Sequence, residues 1–418
     1  MPNRVAFFWD ESFLWGLMAM RSLRGLGVEA EAVTSAEIRD GRLGAFDILF
    51  VPGGWASDKT AALGEAGREA VREFVRSGGS YIGFCGGAGL ALDTDGGLSL
   101  TRVTRVPTRH RVPSFSGEME LVPESPAHPL WRGITRPYIF HAWWPGQFHV
   151  GGDHGAKVVA RYGGPGRDFC SADLCADDVY MHDEGWSRWE EAYGINLDPE
   201  RLIGEPAMIE TAFGEGRVFL SYPHMETPGS KKGNRAFLNL LEYMTPKGKR
   251  RRGKAARRGK KKTYPISAEA RDAAREMMEA AKGFVMFGAR NFLWYWRNEW
   301  VLQWRRGVRG VEYSTLYAMI REVSEFARTQ DESPDKEFNG RLPALRDRVL
   351  PFFDDAKRLL IKERFGLMHG AMSSIKSDDH DVLKLRERLF SHSKRFGGEF
   401  KEILGMLDEA LLTAIRAD

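Results

Sequence analysis

Cysteine is scarce in this 418-residue chain: Cys85, Cys170 and Cys175 are the only three. Three thiols cannot build the even-numbered disulfide framework of a small secreted scaffold, so a reducing compartment is the expectation. A long uncharged apolar run is also missing. The richest stretch, Phe284 to Trp304, is broken by Arg290, Arg297 and Glu299, whereas a bilayer span needs about 20 largely uncharged residues. Met1-Pro2-Asn3-Arg4 leads straight into Val5-Ala6-Phe7-Phe8-Trp9, too short for the apolar core of a secretory signal, and the expected location is cytoplasmic. Closely spaced cysteine pairs of a structural zinc site are wanting too. Cys170 and Cys175, with Asp177, Asp178 and His182 nearby, stand too far apart for one. No metal and no cofactor are expected. That stretch reads instead as shaping a pocket mouth with His141, Trp143, Trp144 and Trp186.

What is abundant is local. Residues 247–262, KGKRRRGKAARRGKKK, hold 11 basic and no acidic side chains, while 24 basic face 32 acidic groups before them and 26 face 25 after. The small net charge of +4 therefore hides one cationic run between two domains that are not themselves basic. With three glycines and no large apolar residue, the run cannot bury enough surface to offset its ordering entropy. It reads as a flexible linker over 247–263 separating a domain at 1–246 from another at 264–418. Nucleic acid held through Lys247–Lys262 is an alternative use of that charge, though no aromatics are interleaved to stack on bases.

Before the linker, strand and helix alternate, which argues for a doubly wound α/β sheet. Strands are expected at Arg4–Trp9, Val28–Val33, Phe46–Val51 and Ser80–Cys85. A helix about Glu65–Arg76 stops at Ser77-Gly78-Gly79. Ala207–Ala212 and Arg217–Tyr222 flank Gly214-Glu215-Gly216 as a hairpin, and Asn234–Tyr243 closes the domain as a helix. After the linker, the spacing predicts four or five helices in a bundle, with Pro334, Pro343 and Pro351 at the joints and Ile403, Met406, Leu407 and Leu411 on one face. Phe292, Trp296, Trp300 and Trp304 recur every four residues, as on a helix whose stripe faces a core. A partner protein is a candidate occupant for this helical domain.

Gly83-Phe84-Cys85-Gly86-Gly87 has the form glycine–x–nucleophile–x–glycine, with a strand before it and a helix after it. Small neighbours let a strained turn lift the thiol out of the sheet edge, and the helix N-terminus favours thiolate. Gly53 and Gly54 end the neighbouring strand, and their N–H groups, with that of Gly86, suit an oxyanion hole. A cysteine nucleophile needs a base and the base an orienter. His224 and Glu226, two apart just past a strand, place both side chains on one side of an extended segment. Asp10 and Glu11, after the first strand, reach the same sheet edge, where a carboxyl could meet the sulfur; a helix N-cap by Asp10 or Ser12 is the simpler reading.

The order strand–Pro52-Gly53-Gly54, strand–Gly83-Phe84-Cys85-Gly86-Gly87, strand–His224-Met225-Glu226 resembles class I glutamine amidotransferase-like domains. Among them it is most similar to the domain at the N-terminus of eukaryotic biotin–protein ligases, over about residues 4–245. The resemblance implies a flavodoxin-like sheet, with Cys85 as nucleophile, His224 as base, Glu226 as its orienter and Gly54 with Gly86 as oxyanion donors. Two positions depart from the wider pattern. Glutaminases of this class usually carry Gln four residues after the cysteine, where this chain has Gly89. The intracellular peptidase branch usually puts His directly after it, where this chain has Gly86. The biotin-ligase active-site motif itself is missing. The reading is a cysteine-dependent amide hydrolase or acyl transferase of unspecified substrate. The rivals are a non-catalytic ligand-binding or sensor module whose helical domain docks a partner, and a nucleic-acid-associated protein working through the linker.

Overall fold

The computed structural model describes residues 4–152, 155–181, 183–246, 263–369, 377–392 and 395–416. The linker predicted at 247–263 lies, but for its last residue, outside them, as does His182. The chain divides into two compact units, Met1–Arg257 and Arg258–Asp418.

In the first unit the elements run β1 (Val5–Phe8), α1 (Phe13–Gly25), β2 (Ala30–Val33), α2 (Ser35–Arg39), β3 (Ile48–Val51), α3 (Ala56–Arg76), β4 (Ser80–Phe84) and α4 (Gly86–Ala91). Then come β5 (Thr104–Arg105), β6 (Phe115–Pro123), β7 (Ile139–Trp143), β8 (Phe148–His149), β9 (Lys157–Pro165), β10 (Cys170–Ser171), β11 (Leu174–Cys175), α5 (Ala176–Tyr180) and α6 (Gly185–Tyr193). The hairpin β12 (Pro206–Phe213) and β13 (Gly216–Ser221) and the helix α7 (Lys231–Tyr243) complete it. The main sheet has the order β11-β10-β6-β9-β12-β13-β4-β3-β1-β2, with β7 pairing β6.

Every residue of β1, β3 and β4 is buried, as parallel strands covered on both faces must be. β2, β1, β3, β4 and β13 run parallel, and from β12 onward the pairing is antiparallel. This is a doubly wound α/β sheet with an antiparallel extension. Its consequence is spatial. The carboxyl ends of β3, β4 and β13 lie side by side, and the segments at residues 52–54, 85–86 and 222–226 leave from one edge, where open α/β sheets bind ligands. Beneath them Phe50, Phe84 and Phe237 pack with ring centroids 5.0 and 5.3 Å apart.

One helix differs from expectation at its start. α3 begins nine residues before Glu65, at Ala56, and is interrupted at Gly64, whose φ of 61° takes it out of the helix. The helical periodicity is reset at that glycine, so only the second half reads cleanly.

The second unit contains β14 (Tyr264–Pro265), α8 (Ala268–Arg290), β15 (Trp294–Trp296), β16 (Leu302–Trp304), α9 (Gly310–Thr329), β17 (Glu332–Ser333), α10 (Phe338–Met368), α11 (His380–Phe390) and α12 (Gly398–Ile415). Among the described residues five helices surround an aromatic core in which Phe284 meets Trp294, Tyr313 and Phe353. Ile403, Leu407 and Leu411 are buried on α12 as anticipated.

The aromatic stripe is a correction. Helix α8 ends at Arg290, Phe292 adopts φ 58° and is exposed, and Trp294–Trp304 is a β-hairpin. Its tryptophans seat on glycines: a Cβ on Gly288 would lie 1.9 Å from Trp294, and one on Gly310 2.0 Å from Trp304. Spacing by four on a hairpin mimics a helix face when the partner surface is supplied from elsewhere. Pro343 and Pro351 are the second correction, since both lie inside α10 rather than at joints. Buried Leu342, Leu345, Val349, Phe352 and Phe353 on either side hold the helix across its missing N–H donors. Among the described residues no helix is long and apolar enough to cross a membrane.

Candidate active site

Cys85 sits between β4 and α4 with φ 48° and ψ −104°, a conformation costing on the order of 1–3 kcal/mol for a non-glycine residue. The glycines around it are required by contact. A Cβ on Gly86 would stand 1.8 Å from the Gly54 carbonyl oxygen, one on Gly87 2.0 Å from that of Val51, and one on Gly83 2.5 Å from that of Gly87. Gly89 is different: its Cβ would make an ordinary 3.4 Å contact with Ala56. The Cys85 N–H donates to the Ser221 carbonyl at 2.8 Å, tying the elbow to the end of β13. The side chain is partly exposed, and its thiol is 3.8 Å from the Trp143 carbonyl.

His224 and Glu226 follow β13 in an extended segment, and their side chains meet: Nδ1 and Oε1 are 2.7 Å apart, each side chain 1% exposed. The segment is clamped from several directions. The His224 N–H donates to the His141 carbonyl at 2.7 Å, and the Thr227 hydroxyl donates to the His224 carbonyl. Trp143 Nε1 donates to that hydroxyl, and Asn234 Nδ2 donates to the carbonyls of Met225 and Thr227. The Trp15 ring covers the imidazole at 5.1 Å.

With Nδ1 committed to Glu226, Nε2 is the nitrogen left for the Cys85 sulfur, with which the imidazole interacts. Nε2 makes no hydrogen bond among the described residues. Burial opposes a charge on His224, but the Glu226 carboxylate and the nearby Cys85 sulfur prevail and raise its pKa to about 10.

Gly53 and Gly54 border the same spot. A Cβ on Gly53 would lie 3.1 Å from the His224 ring, and Gly54, at φ 113°, leaves no room for one against the Glu11 carbonyl, 2.3 Å away. Among the described residues the N–H groups of Gly54 and Gly86 enter no hydrogen bond. Lys59 supports this loop from below. It is fully buried, its Nζ donates to Ser12 Oγ at 2.6 Å and to the Asp10 carbonyl at 3.2 Å, and its chain packs near Gly54. Nothing in its neighbourhood of the sequence announced it, because both acceptors lie nearly fifty residues away.

Other expected residues fall elsewhere. The Asp10 carboxylate accepts from the Ser35 N–H at 2.8 Å, at the start of α2. The hydrogen bond of the Cys85 thiol goes to Trp143, not to Asp10 or Glu11. Ser12 precedes α1 without capping it, its hydroxyl donating to Phe8 instead. His141 and Trp143 stack at 5.4 Å and brace the His224 segment. Trp143 is 1% exposed, too enclosed to line a pocket mouth, and Trp186 is buried as well. Cys170 and Cys175 face each other across the β10–β11 pair with sulfurs 3.0 Å apart. No group of three metal-ligating side chains occurs among the described residues.

Residues 43–93 match the family model Biotin-protein ligase, N terminal. The match takes in the Gly53-Gly54 loop and the Cys85 elbow and ends well before His224. Among solved structures, a Thermoplasma acidophilum protein provisionally assigned as part of GMP synthase is 14% identical, covering 58% of this chain and 94% of its own, with a TM-score of 0.37. A cytoplasmic protein from Salmonella typhimurium LT2 is 10% identical over 58% of this chain and 99% of its own, with a TM-score of 0.34. A β-galactosidase from Bacillus circulans sp. alkalophilus is 14% identical over 58% of this chain and 32% of its own, at 0.35. No curated protein matches the chain.

Proposed function

We propose that the first unit is a cysteine-dependent amide hydrolase or acyl transferase in which Cys85 attacks, His224 moves the proton and Glu226 holds His224. The observation that carries this reading is the strained, partly exposed Cys85 beside an imidazole whose far nitrogen is held at 2.7 Å by a buried carboxylate.

In this reading the charged imidazole favours the thiolate form of Cys85. The thiolate adds to the amide carbonyl carbon, forming the C–S bond and pushing the electron pair onto oxygen. The N–H groups of Gly54 and Gly86 receive that oxyanion, aimed at a charge that exists only after attack. Collapse breaks the C–N bond, and the amine leaves with a proton from His224. A water molecule, or another acceptor, then gives His224 a proton as it adds to the thioester, and loss of the thiolate releases the acyl product. Lys59 keeps the Gly53-Gly54 loop in place and touches no reacting atom.

Iodoacetamide labelling at neutral pH tests the proposal. Cys85 is expected to alkylate at least tenfold faster than Cys170 or Cys175, and His224→Ala is expected to remove that advantage. Equal, slow labelling of all three thiols would leave a ligand pocket with an inert cysteine and refute the enzyme.

A further inference from the structure

Beside the elbow lies a group of polar side chains that the proposed chemistry does not use. The Cys85 thiol meets the Trp143 carbonyl; two residues further on, the Pro145 carbonyl accepts from an Arg111 terminal nitrogen at 3.1 Å. Trp144 between them adopts φ 47°, so thiol and guanidinium are held against one turn of chain. At the same turn the Tyr222 hydroxyl presses on Gly146, where a Cβ would stand 2.5 Å from it.

Two tyrosines here are 1% exposed, Tyr162 and Tyr222, and neither hydroxyl has a hydrogen-bond partner. Arg111 Nε is likewise buried and unpaired. Buried polar atoms are almost always satisfied, so three unpaired donors in one neighbourhood mark a place built for an acceptor. The groups sense one another. Arg111 interacts electrostatically with Tyr222, Cys85 and Tyr162, and Arg105 adds a second positive charge near Tyr222. Burial lowers the Arg111 pKa below its ordinary value, the response of a cation with no anion beside it.

We propose that Arg111, with the hydroxyls of Tyr222 and Tyr162, binds a carboxylate on the acyl part of the substrate, so that the enzyme acts on acidic amides. The inference rests on the Cys85 reading and deepens it. A guanidinium fork with two hydroxyl donors matches a carboxylate's two oxygens. The cluster comes from the segment before β6, from β9 and from the end of β13, and owes nothing to α4, where Gly89 offers no side chain.

The experiment compares iodoacetate with iodoacetamide on the full chain, reading Cys85 alkylation by mass spectrometry. Both reagents react alike: thiolate displaces iodide, a C–S bond replaces a C–I bond, and only iodoacetate carries a carboxylate. The iodoacetate-to-iodoacetamide rate ratio at Cys85 should exceed that of glutathione and fall about tenfold or more in Arg111→Gln. Arg111→Lys should recover part of it, and Tyr222→Phe, which keeps the ring in its packing, should show an intermediate loss. A ratio equal to that of glutathione, or one that Arg111→Gln leaves unchanged, overturns the proposal. If both reagents label Cys85 as slowly as Cys170, the nucleophile fails by itself and the carboxylate site is judged by glutarate. A rise in melting temperature with glutarate that Arg111→Gln abolishes would sustain the site, and no rise would overturn it.

Discussion

Replacing Glu226 by Gln removes a negative charge while keeping the shape of the side chain, which makes it the sharpest probe of the site. Nothing but burial and the sulfur then acts on His224, whose pKa of about 10 depends on Glu226 and Cys85 prevailing over burial. Burial alone drives an imidazole below its ordinary 6.5, so removing the carboxylate can return the pKa from about 10 to about 6.5 or lower, a change of about 3.5 pH units. At 1.36 kcal/mol per unit that is roughly 5 kcal/mol of support for the charged ring, an upper figure because the sulfur remains and the surroundings relax. Two measurements follow from it. At pH 7 the rate of Cys85 alkylation by iodoacetamide should fall at least tenfold, since a neutral ring no longer favours thiolate and the amide does not hold the tautomer. Stability should change as well. A group whose pKa is higher folded than unfolded stabilises fully below its unfolded value and loses that contribution as pH rises towards the folded one. Urea melts of the parent protein should therefore weaken between pH 6.5 and about 10, and those of Glu226→Gln should be flatter there. An alkylation rate unchanged by the substitution would refute the electrostatic coupling and the catalytic reading with it.

Two further outcomes test neighbouring parts of the argument. Gly86→Ala forces a methyl to 1.8 Å from a backbone oxygen, whereas Gly89→Ala meets only Ala56 at 3.4 Å; thermal melts should show the first losing more than about 3 kcal/mol and the second within about 1 kcal/mol of the parent or above it. Glu210 should govern acid stability. The His128 hydrogen bond, chiefly, and that of Tyr243 lower its pKa from 4.5 to about 2. His128 Nδ1 accepts from the Leu130 N–H, which leaves Nε2 to donate to the carboxylate it faces. A depressed folded pKa means stability present above 4.5 and lost as pH falls towards 2. About 3 kcal/mol is at stake, since the side chain is only 16% exposed, and Glu210→Gln should abolish that part of the acid slope in chemical melts.

Much of the sheet and the elbow was legible because the cues are local and steric. Gly83, Gly86 and Gly87 are demanded by contacts within one or two strand ends, and buried β3 and β4 read as continuous apolar runs for the same reason. The two-residue spacing of His224 and Glu226 translates directly into a side-chain contact, because extended backbone has a period of two. Lys59, Arg111 and Tyr222 were silent. Each acts on groups brought near by the sheet, Lys59 on Ser12 and Arg111 on the Pro145 carbonyl, and a charged or aromatic residue in a polar stretch carries no mark of such a partner. The Trp294–Trp304 hairpin misled for the opposite reason, its aromatic spacing coinciding with a helical period while its packing surface came from Gly288 and Gly310.

The costs of this fold are concentrated at one edge. Cys85 holds a left-handed conformation, Gly54 and Gly86 touch backbone to backbone, a buried carboxylate keeps an imidazole charged, and two tyrosine hydroxyls go unpaired. A cysteine serving only to fill space would need none of these, since any small apolar residue in relaxed backbone would pack as well. The features also support one another: the glycines clear the turn that lifts the sulfur, and the clamp on residues 224–227 holds the segment whose imidazole meets Glu226. Mutually supported strain of this kind is what the catalytic reading requires, and that reading therefore predicts that the substitutions argued above act on reactivity as well as on folding.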